Sequence, residues 1–474
     1  MMASTPHDLE HSSGYRRLLL AVVMLAVTTF GSLMTIVTVS LGIIAKDLGS
    51  DRATLTWMIT GLMLTMAVVT PLAGRAGDIY GHRKLFLIGL FGGALTTAAS
   101  ALAWDATSVI VFRVLFGLTG AMVMPNGMAL MIQAYGPERR ATAMGWFQFA
   151  TTGAPTIGLV LGGPMIDVVG WRGVFYGFAG VSALAFVVGV SFLRPSPRLT
   201  KTPLDLAGAT TLGGGVLTGL LALTRFTESV RDSGIGAAAT DPVTMLLAVA
   251  AVVGLGAFVV VENRVPSPML KLQYFKRRRF TLPMVSSSLV QFAYMGGFVV
   301  TPALLDGVYG LTVGTIAVMM APRPGAFSLS SPLGGYLATA IGDRVPMILG
   351  GVAMVVAMAA FAGASLLTGV LGLAVVVVGL LLSGVSAGIS QPAVISAVVG
   401  AVDPEDVGIA GGMSQQVMFI GVVSGIQTLN VFVGDKAEPA AFATAFVVGG
   451  LVAFIGLLAA VGLPRTTASP ATQL

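Results

Sequence analysis

Cysteine is absent from the chain, so no disulfide, thiolate ligand or thiol nucleophile can be built from it. Histidine is nearly absent: the only three are His7, His11 and His82. Three imidazoles, two of them near the N-terminus, cannot assemble a zinc or haem site. Charge is scarce too. Only 10% of the 474 residues are Asp, Glu, Lys or Arg, against about 25% in a soluble domain. That shortage excludes a soluble enzyme, a disordered chain and a disulfide scaffold. No Gly-x-x-x-x-Gly-Lys-Ser/Thr segment occurs, so ATP hydrolysis within this chain is not expected. Hydrophobic residues take the place of charge, at 55% of the chain with a mean hydropathy of +0.91.

A hydrocarbon layer of about 30 Å needs about 20 apolar helical residues. Fourteen stretches meet that need, at 18–45, 53–74, 84–104, 106–135, 140–166, 172–193, 205–224, 242–262, 280–306, 312–340, 346–367, 369–400, 407–433 and 440–463. The first is too long for the apolar segment of a signal peptide. With both termini in the cytoplasm, inner segments carry eighteen Lys and Arg and outer segments six. That bias favours this orientation and an even number of spans. Lys276, Arg277, Arg278 and Arg279 read as a topology anchor before the ninth span rather than as a nucleic-acid or lipid patch. The remaining two basic residues, Arg113 and Arg323, lie inside apolar stretches.

An internal repeat is visible. Thr70–Arg83 aligns with Ser331–Arg344 at a constant offset of 261. Pro71, Leu72, Gly74, Gly81 and Arg83 match Pro332, Leu333, Gly335, Gly342 and Arg344. Duplicated halves with a substrate site near the midplane are the common build of secondary transporters. Spans one to six and nine to fourteen would be the halves, and 205–224 with 242–262 an inserted pair.

The segment Gly74-Arg-Ala-Gly-Asp78-Ile-Tyr-Gly81-His-Arg83-Lys84 resembles the loop signature of the major facilitator superfamily. Fourteen spans with an inserted pair resemble its 14-helix drug:proton antiporter subfamily. Arg113-Val-Leu-Phe116-Gly117 is similar to the family's Arg-x-x-Gln-Gly, with Phe in place of Gln. Gly158-Leu159-Val-Leu-Gly162-Gly163 is similar to its Gly-Pro-x-x-Gly-Gly, with Leu in place of Pro. Trp171-Arg172 and Ala321-Pro322-Arg323 also match. Leu33 and Thr38 stand where the subfamily shows Asp and Asn in the first span, and Thr339 where the second loop copy would carry Asp.

The resemblance implies an all-α integral membrane protein of the major-facilitator fold: a six-helix bundle over 1–197, an inserted pair over 198–265 and a second bundle over 266–474. It implies that Asp78 meets the start of the thirteenth span and locks the inward face shut, with Gly74, Gly81, Arg83, Gly158, Gly162 and Gly163 serving the same conformational gate. An arginine at mid-membrane costs about 2.5–3.5 kcal/mol on the insertion scale, so Arg113 and Arg323 are expected to face a polar cavity. Asn126, Gln148, Gln291, Gln391, Gln415 and Gln416 are its other polar candidates, although interhelical hydrogen bonding is the commoner use of such residues. Asp306 is the one acid outside tails, loops and helix ends, and is the coupling candidate. The expected function is export of small amphipathic or lipophilic compounds by alternating access, coupled to protons in the cytoplasmic membrane. The alternatives are a lipid or organic-anion transporter, or one not coupled to protons. A membrane enzyme lacks convergent catalytic groups, and a channel lacks a visible filter. The expected partners are a small-molecule substrate, membrane lipids and protons, with no nucleic acid, metal or cofactor. The chain is expected to work as a monomer.

Overall fold

The computed structural model describes residues 13–50, 52–55, 57–196, 205–265, 268, 271–433 and 438–464. The long helices are α1 (Ser13–Asp47), α2 (Trp57–Tyr80), α3 (His82–Ala101), α4 (Ala106–Phe192), α5 (Leu206–Thr240), α6 (Pro242–Arg264), α7 (Arg278–Gly307), α8 (Val313–Met320), α9 (Pro322–Ile341), α10 (Arg344–Ser365), α11 (Gly369–Val399), α12 (Val407–Val433) and α13 (Pro439–Val461). Twelve helices among the described residues are long and apolar enough to cross a membrane. The other two expected spans, 140–166 and 312–340, are also helical, the second with a break.

Three borders have local causes. The stretch 106–192 is helical but broken at Gly136 and Gly170, between the expected spans 106–135, 140–166 and 172–193; there the backbone is non-helical with φ +73° and +68°, a region open to glycine and costly for other residues. The stretch 312–340 divides between α8 and α9 at Ala321. Pro322 and Pro324 follow at once, and proline removes an intrahelical donor and crowds the preceding turn. α5 continues past its apolar part to Thr240, with a bend at Gly234.

The scarce acids mark helix starts. Asp105 accepts from Ser108 N at 2.7 Å and the Ser108 hydroxyl answers the Asp105 N–H. Asp205 accepts from Gly208 N at 2.9 Å, and Asp241 from Thr244 N at 3.0 Å. These caps satisfy amides that have no intrahelical partner.

Contacts divide the chain into two compact units. The first holds residues 1–204 and 403–413, and the second holds 205–402 and 414–474. The chain thus passes from one unit to the other inside α12. In the first, Phe30 of α1 stacks on Phe116 of α4 at 4.5 Å. In the second, Phe361 of α10 packs on Phe446 of α13 at 5.1 Å, within a core that includes Met354 and Met358. The inserted helices α5 and α6 cross at Gly215 and Gly254, where an added Cβ on Gly254 would lie 2.9 Å from Gly215 Cα.

The repeat has a structural counterpart. Gly81 and Gly342 end their helices at φ +96° and +85°. After each turn an arginine binds the carbonyl near the end of a later helix: Arg83 Nη2 to Val190 O at 2.8 Å, and Arg344 Nη2 to Val461 O at 2.6 Å. Pro71 and Pro332 lie inside α2 and α9.

Candidate functional site

The first unit contains a buried polar network where the end of α2 meets the start of α12. Small residues permit the approach. A Cβ on Gly74 would collide with Gly408 O, and one on Gly412 would lie 2.6 Å from Pro71 Cα. The two backbones therefore touch directly, which glycine alone allows. Asp78 takes advantage of this proximity. Its Oδ1 accepts from Gly408 N at 2.9 Å and its Oδ2 from Ile409 N at 3.1 Å. The carboxylate thus satisfies two amides of a helix start and meets the positive end of that helix. Asp78 is fully buried.

Three further side chains enclose it. Arg75, one turn earlier on α2, pairs with Asp406 at 3.0 Å, both buried. His82 places Nε2 3.3 Å from Asp78 Oδ1, an ion-pair distance. Its other nitrogen, Nδ1, lies 2.9 Å from Asn126 Oδ1. Asn126 in turn donates through Nδ2 to Met122 O at 2.8 Å and Ala73 O at 3.1 Å. Asn126, expected on a cavity wall, is fully occupied beneath this network. Arg83, expected in the gate, turns to Val190 O instead, while its N–H donates to Ser196 Oγ at 2.9 Å. His82, Arg75 and Asp406 were not singled out from the sequence. The spacing of three and four residues around Asp78 was the available signal for the first two. Asp406 is 331 positions from Arg75 and gave none.

Arg113 of α4 is also fully buried in the first unit. None of its three guanidinium nitrogens has an acceptor among the described residues. Its Cζ lies 4.8 Å from the Phe116 ring centroid and 5.9 Å from that of Phe175, so ring faces substitute for a carboxylate. Gln148 is buried in the same unit.

In the second unit, Arg323 of α9 is equally buried and donates to Tyr294 O of α7. It lies 4.1 Å from the Tyr294 ring and 5.4 Å from that of Phe298. Its Nε and Nη1 have no acceptor among the described residues. Gln391 of α11 donates to Ser287 Oγ of α7 at 3.2 Å, an interhelical bond. Gln291, Gln415 and Gln416 are buried. Asp306, the expected coupling acid, is exposed near the end of α7. Gly158, Gly162 and Gly163 are helical, but their surroundings and the side chain of Thr38 lie outside the described residues.

On the side of the first unit away from Asp78, Arg172 pairs with Asp47 and donates through Nη2 to Ala103 O at 3.1 Å. Trp171 Nε1 adds a bond to Asp47 Oδ2 at 3.1 Å. Hydrogen bonding from Arg172, then Trp171, holds the Asp47 carboxyl below the usual carboxylate range.

Many apolar helices, a glycine-packed contact between segments distant in sequence, and the buried guanidinium groups of Arg113 and Arg323 define a polytopic membrane transporter. The chain belongs to the Major Facilitator Superfamily, whose family profile matches residues 21–426. It is 28% identical over 404 residues to the tetracenomycin C resistance and export protein of Streptomyces glaucescens, covering 85% of this chain and 73% of that one. It is 30% identical over 407 residues to the multidrug resistance protein Stp of Mycobacterium tuberculosis (strain CDC 1551 / Oshkosh), covering 83% and 72%. The crystal structure of the human organic anion transporter MFSD10 (TETRAN) shares the fold, with a TM-score of 0.61 at 17% identity, over 92% of this chain and 99% of that one.

Proposed function

We propose that the protein is a secondary exporter of small amphipathic or lipophilic compounds, working by alternating access and driven by inward proton flow. The relatives that match most of its length carry names of drug resistance and export. The observation that carries the mechanism is the Asp78 carboxylate bound to the first amides of α12. This contact is what a two-state element needs: it exists in one arrangement and must be broken to reach another. Asp78 lies on the cytoplasmic side in this reading, both termini are cytoplasmic, and the contact seals the inward face.

Arg113 in the first unit and Arg323 in the second each offer substrate a positive contact, with the buried glutamines of each unit as adaptable partners. Chain segments 1–197, 198–265 and 266–474 act as bundle, inserted pair and bundle, and a single chain embedded in cytoplasmic-membrane lipid is the working unit. A second reading, transport of organic anions, is favoured by one observation: neither Arg113 nor Arg323 has a carboxylate partner among the described residues.

The test is transport in proteoliposomes under an imposed pH gradient, with cationic, neutral and anionic compounds. Accumulation that follows the gradient and collapses with a protonophore is the expected result. Fluxes of every compound that ignore the gradient, or conductance at channel rates, would overturn it.

A further inference from the structure

The junction between α6 and α7 gathers positive charge that the chain itself does not answer. Residues 242–282 hold a single acid, Glu262, and six cations: Arg264, Lys271, Lys276, Arg277, Arg278 and Arg279. Glu262 is buried. Leu272–Lys276 form a short 3-10 turn that touches α6 and ends just before α7. Its shape is fixed from within. Tyr274 is buried, and its ring lies 5.7 Å from that of Phe280, the first apolar residue of α7. Two of the cations close on the Tyr274 ring, Lys271 Nζ at 5.8 Å and Arg277 Cζ at 4.8 Å. Arg277 Nη1 also donates to Ala401 O at 2.7 Å. The Thr281 hydroxyl donates back to Phe275 O at 2.6 Å. Lys271 and Arg277 are therefore engaged with the protein.

The other four are not. Arg264, Lys276, Arg278 and Arg279 are exposed. No acid pairs with them among the described residues, the exposed Asp403 and Glu405 included. Phe275 stands beside them, also exposed, its ring edge-on to Phe280 at 5.3 Å. This combination has a preference. Cations within a turn of an apolar span lie at the depth of lipid phosphates, and an aromatic ring suits the same depth. A soluble polyanion would leave the ring uncovered. It would also leave Val252, Val253, Val259 and Val260 uncovered, the exposed apolar face of α6, which acyl chains fit. Positive charge at this end guides insertion. Guidance ends once the chain is in place, and the cations still require counter-charge.

We propose that this surface binds anionic phospholipid, with the headgroup phosphate at Lys276, Arg278 and Arg279 and the acyl chains along the exposed face of α6. Arg264, at the end of α6, adds to the field that attracts it. Phe275 sits among the upper parts of the chains. The buried residues of α6 are few, Thr244, Ala251, Phe258 and Glu262, so lipid covers most of this helix. The headgroup site then decides which lipid lies at the junction of the inserted pair and α7. The proposal goes beyond the export reading. It needs a membrane-spanning chain and is independent of what is exported and of what drives export.

The absence of cysteine supplies the probe site. Gln273 is exposed in the 3-10 turn, so Gln273→Cys in the full chain carries a fluorophore there. The protein is placed in nanodiscs of phosphatidylcholine and phosphatidylglycerol at a fixed ratio. A nitroxide near the headgroup end of the acyl chain is carried by one lipid or by the other. The ratio of the two quenching efficiencies reads the local enrichment of the anionic lipid. Leu102→Cys is the reference, exposed at the end of α3, where Arg172 is already paired with Asp47. A cation near an anionic lipid surface is worth about a fivefold preference. The ratio at residue 273 should therefore be about threefold or more at low salt, and close to one at residue 102. It should fall toward one in about 1 M salt, where the screening length is about 3 Å. Lys276→Gln, Arg278→Gln and Arg279→Gln together should abolish it. Equal quenching by the two lipids at residue 273 overturns the proposal, even if the triple variant does not fold. Inorganic phosphate or an RNA oligonucleotide, added at matched ionic strength, should leave the ratio unchanged. If either removes the enrichment, the surface recognises soluble polyanions and the lipid assignment fails. Gradient-driven transport run in parallel separates the two claims. Enrichment without such transport leaves this site standing and removes the export reading, and transport with equal quenching does the reverse.

Discussion

At the scale of single residues, Asp78 shows what one carboxylate can hold. It accepts two backbone bonds from α12, and hydrogen bonds to a charged group are worth roughly 1.5–3 kcal/mol each. Asp78→Asn keeps the shape and removes the charge. The shut arrangement should lose at least one such bond, shifting populations about tenfold or more toward the alternative. Cysteine accessibility from the two faces of the membrane measures this, and transport should fall while expression survives. An unchanged balance between the faces would remove Asp78 from the gate. Asp78 could be singled out because glycine, proline and aspartate recur at fixed spacing in a loop signature. The partners were not. Asn126 and Asp406 come from segments far away in the chain, and no local pattern brings them to Asp78. The partner of Arg83 was hidden for the same reason: it is a backbone carbonyl at position 190, which sequence does not advertise.

At the scale of helices, the apolar stretches were readable because membrane helices need length and hydrophobicity and little else. Their breaks were readable only in part. The breaks at Gly136 and Gly170 fall between the expected spans, whereas the division at Ala321, just before Pro322, splits one expected span in two. The inserted pair offers a test at this scale. In α6 only Thr244, Ala251, Phe258 and Glu262 are buried, whereas Leu246, Val249, Val253 and Val260 are exposed. Its neighbour α5 is tied to α12 within the second unit through Thr227 and Gln427, 2.9 Å apart. Cysteines placed along the exposed face of α6 should react equally with and without substrate. Protection at several of them would place the pair in the transport path.

The Asp47–Arg172–Trp171 latch, unlike the buried Asp78 contacts, lies partly open to solvent. Its carboxyl is held below the unfolded value, so its contribution is complete above about pH 4 and is lost only as pH falls through the lowered value. Accessibility at the outer face should be flat from about pH 5 to 8, in the range where imidazoles titrate. Asp47→Asn should cost no more than about 1 kcal/mol, because both partners are substantially exposed and screened. Steep pH dependence at this face in wild type would contradict the assignment.

At the scale of the whole molecule, the two repeats keep their scaffold and diverge in their chemistry. The turn glycines and the arginines that follow them do matching work in both copies. Asp78, however, is answered by Thr339, whose hydroxyl returns to Gly335 O at 3.0 Å. A carboxylate therefore stands at this position in one copy only. Arg113 and Arg323 are the opposite case: each is buried, walled by aromatic rings and without a carboxylate partner among the described residues. Two unneutralised guanidinium groups should disfavour permanently cationic substrates, because desolvating a cation beside them is unfavourable at both sites. Arg113→Gln should then lower transport of neutral and anionic compounds far more than the same change at the expected outer-loop residue Arg225, which is half exposed. Leu33→Asp is the sharper variant. Leu33 is buried in the same unit, and a carboxylate there would supply the acid that the subfamily pattern carries at this position. It should move the profile toward cations and alter the pH dependence of transport. If the wild type exports permanent cations well, and Leu33→Asp changes neither profile nor pH dependence, the arginines serve packing rather than recognition. Selectivity must then come from the apolar walls.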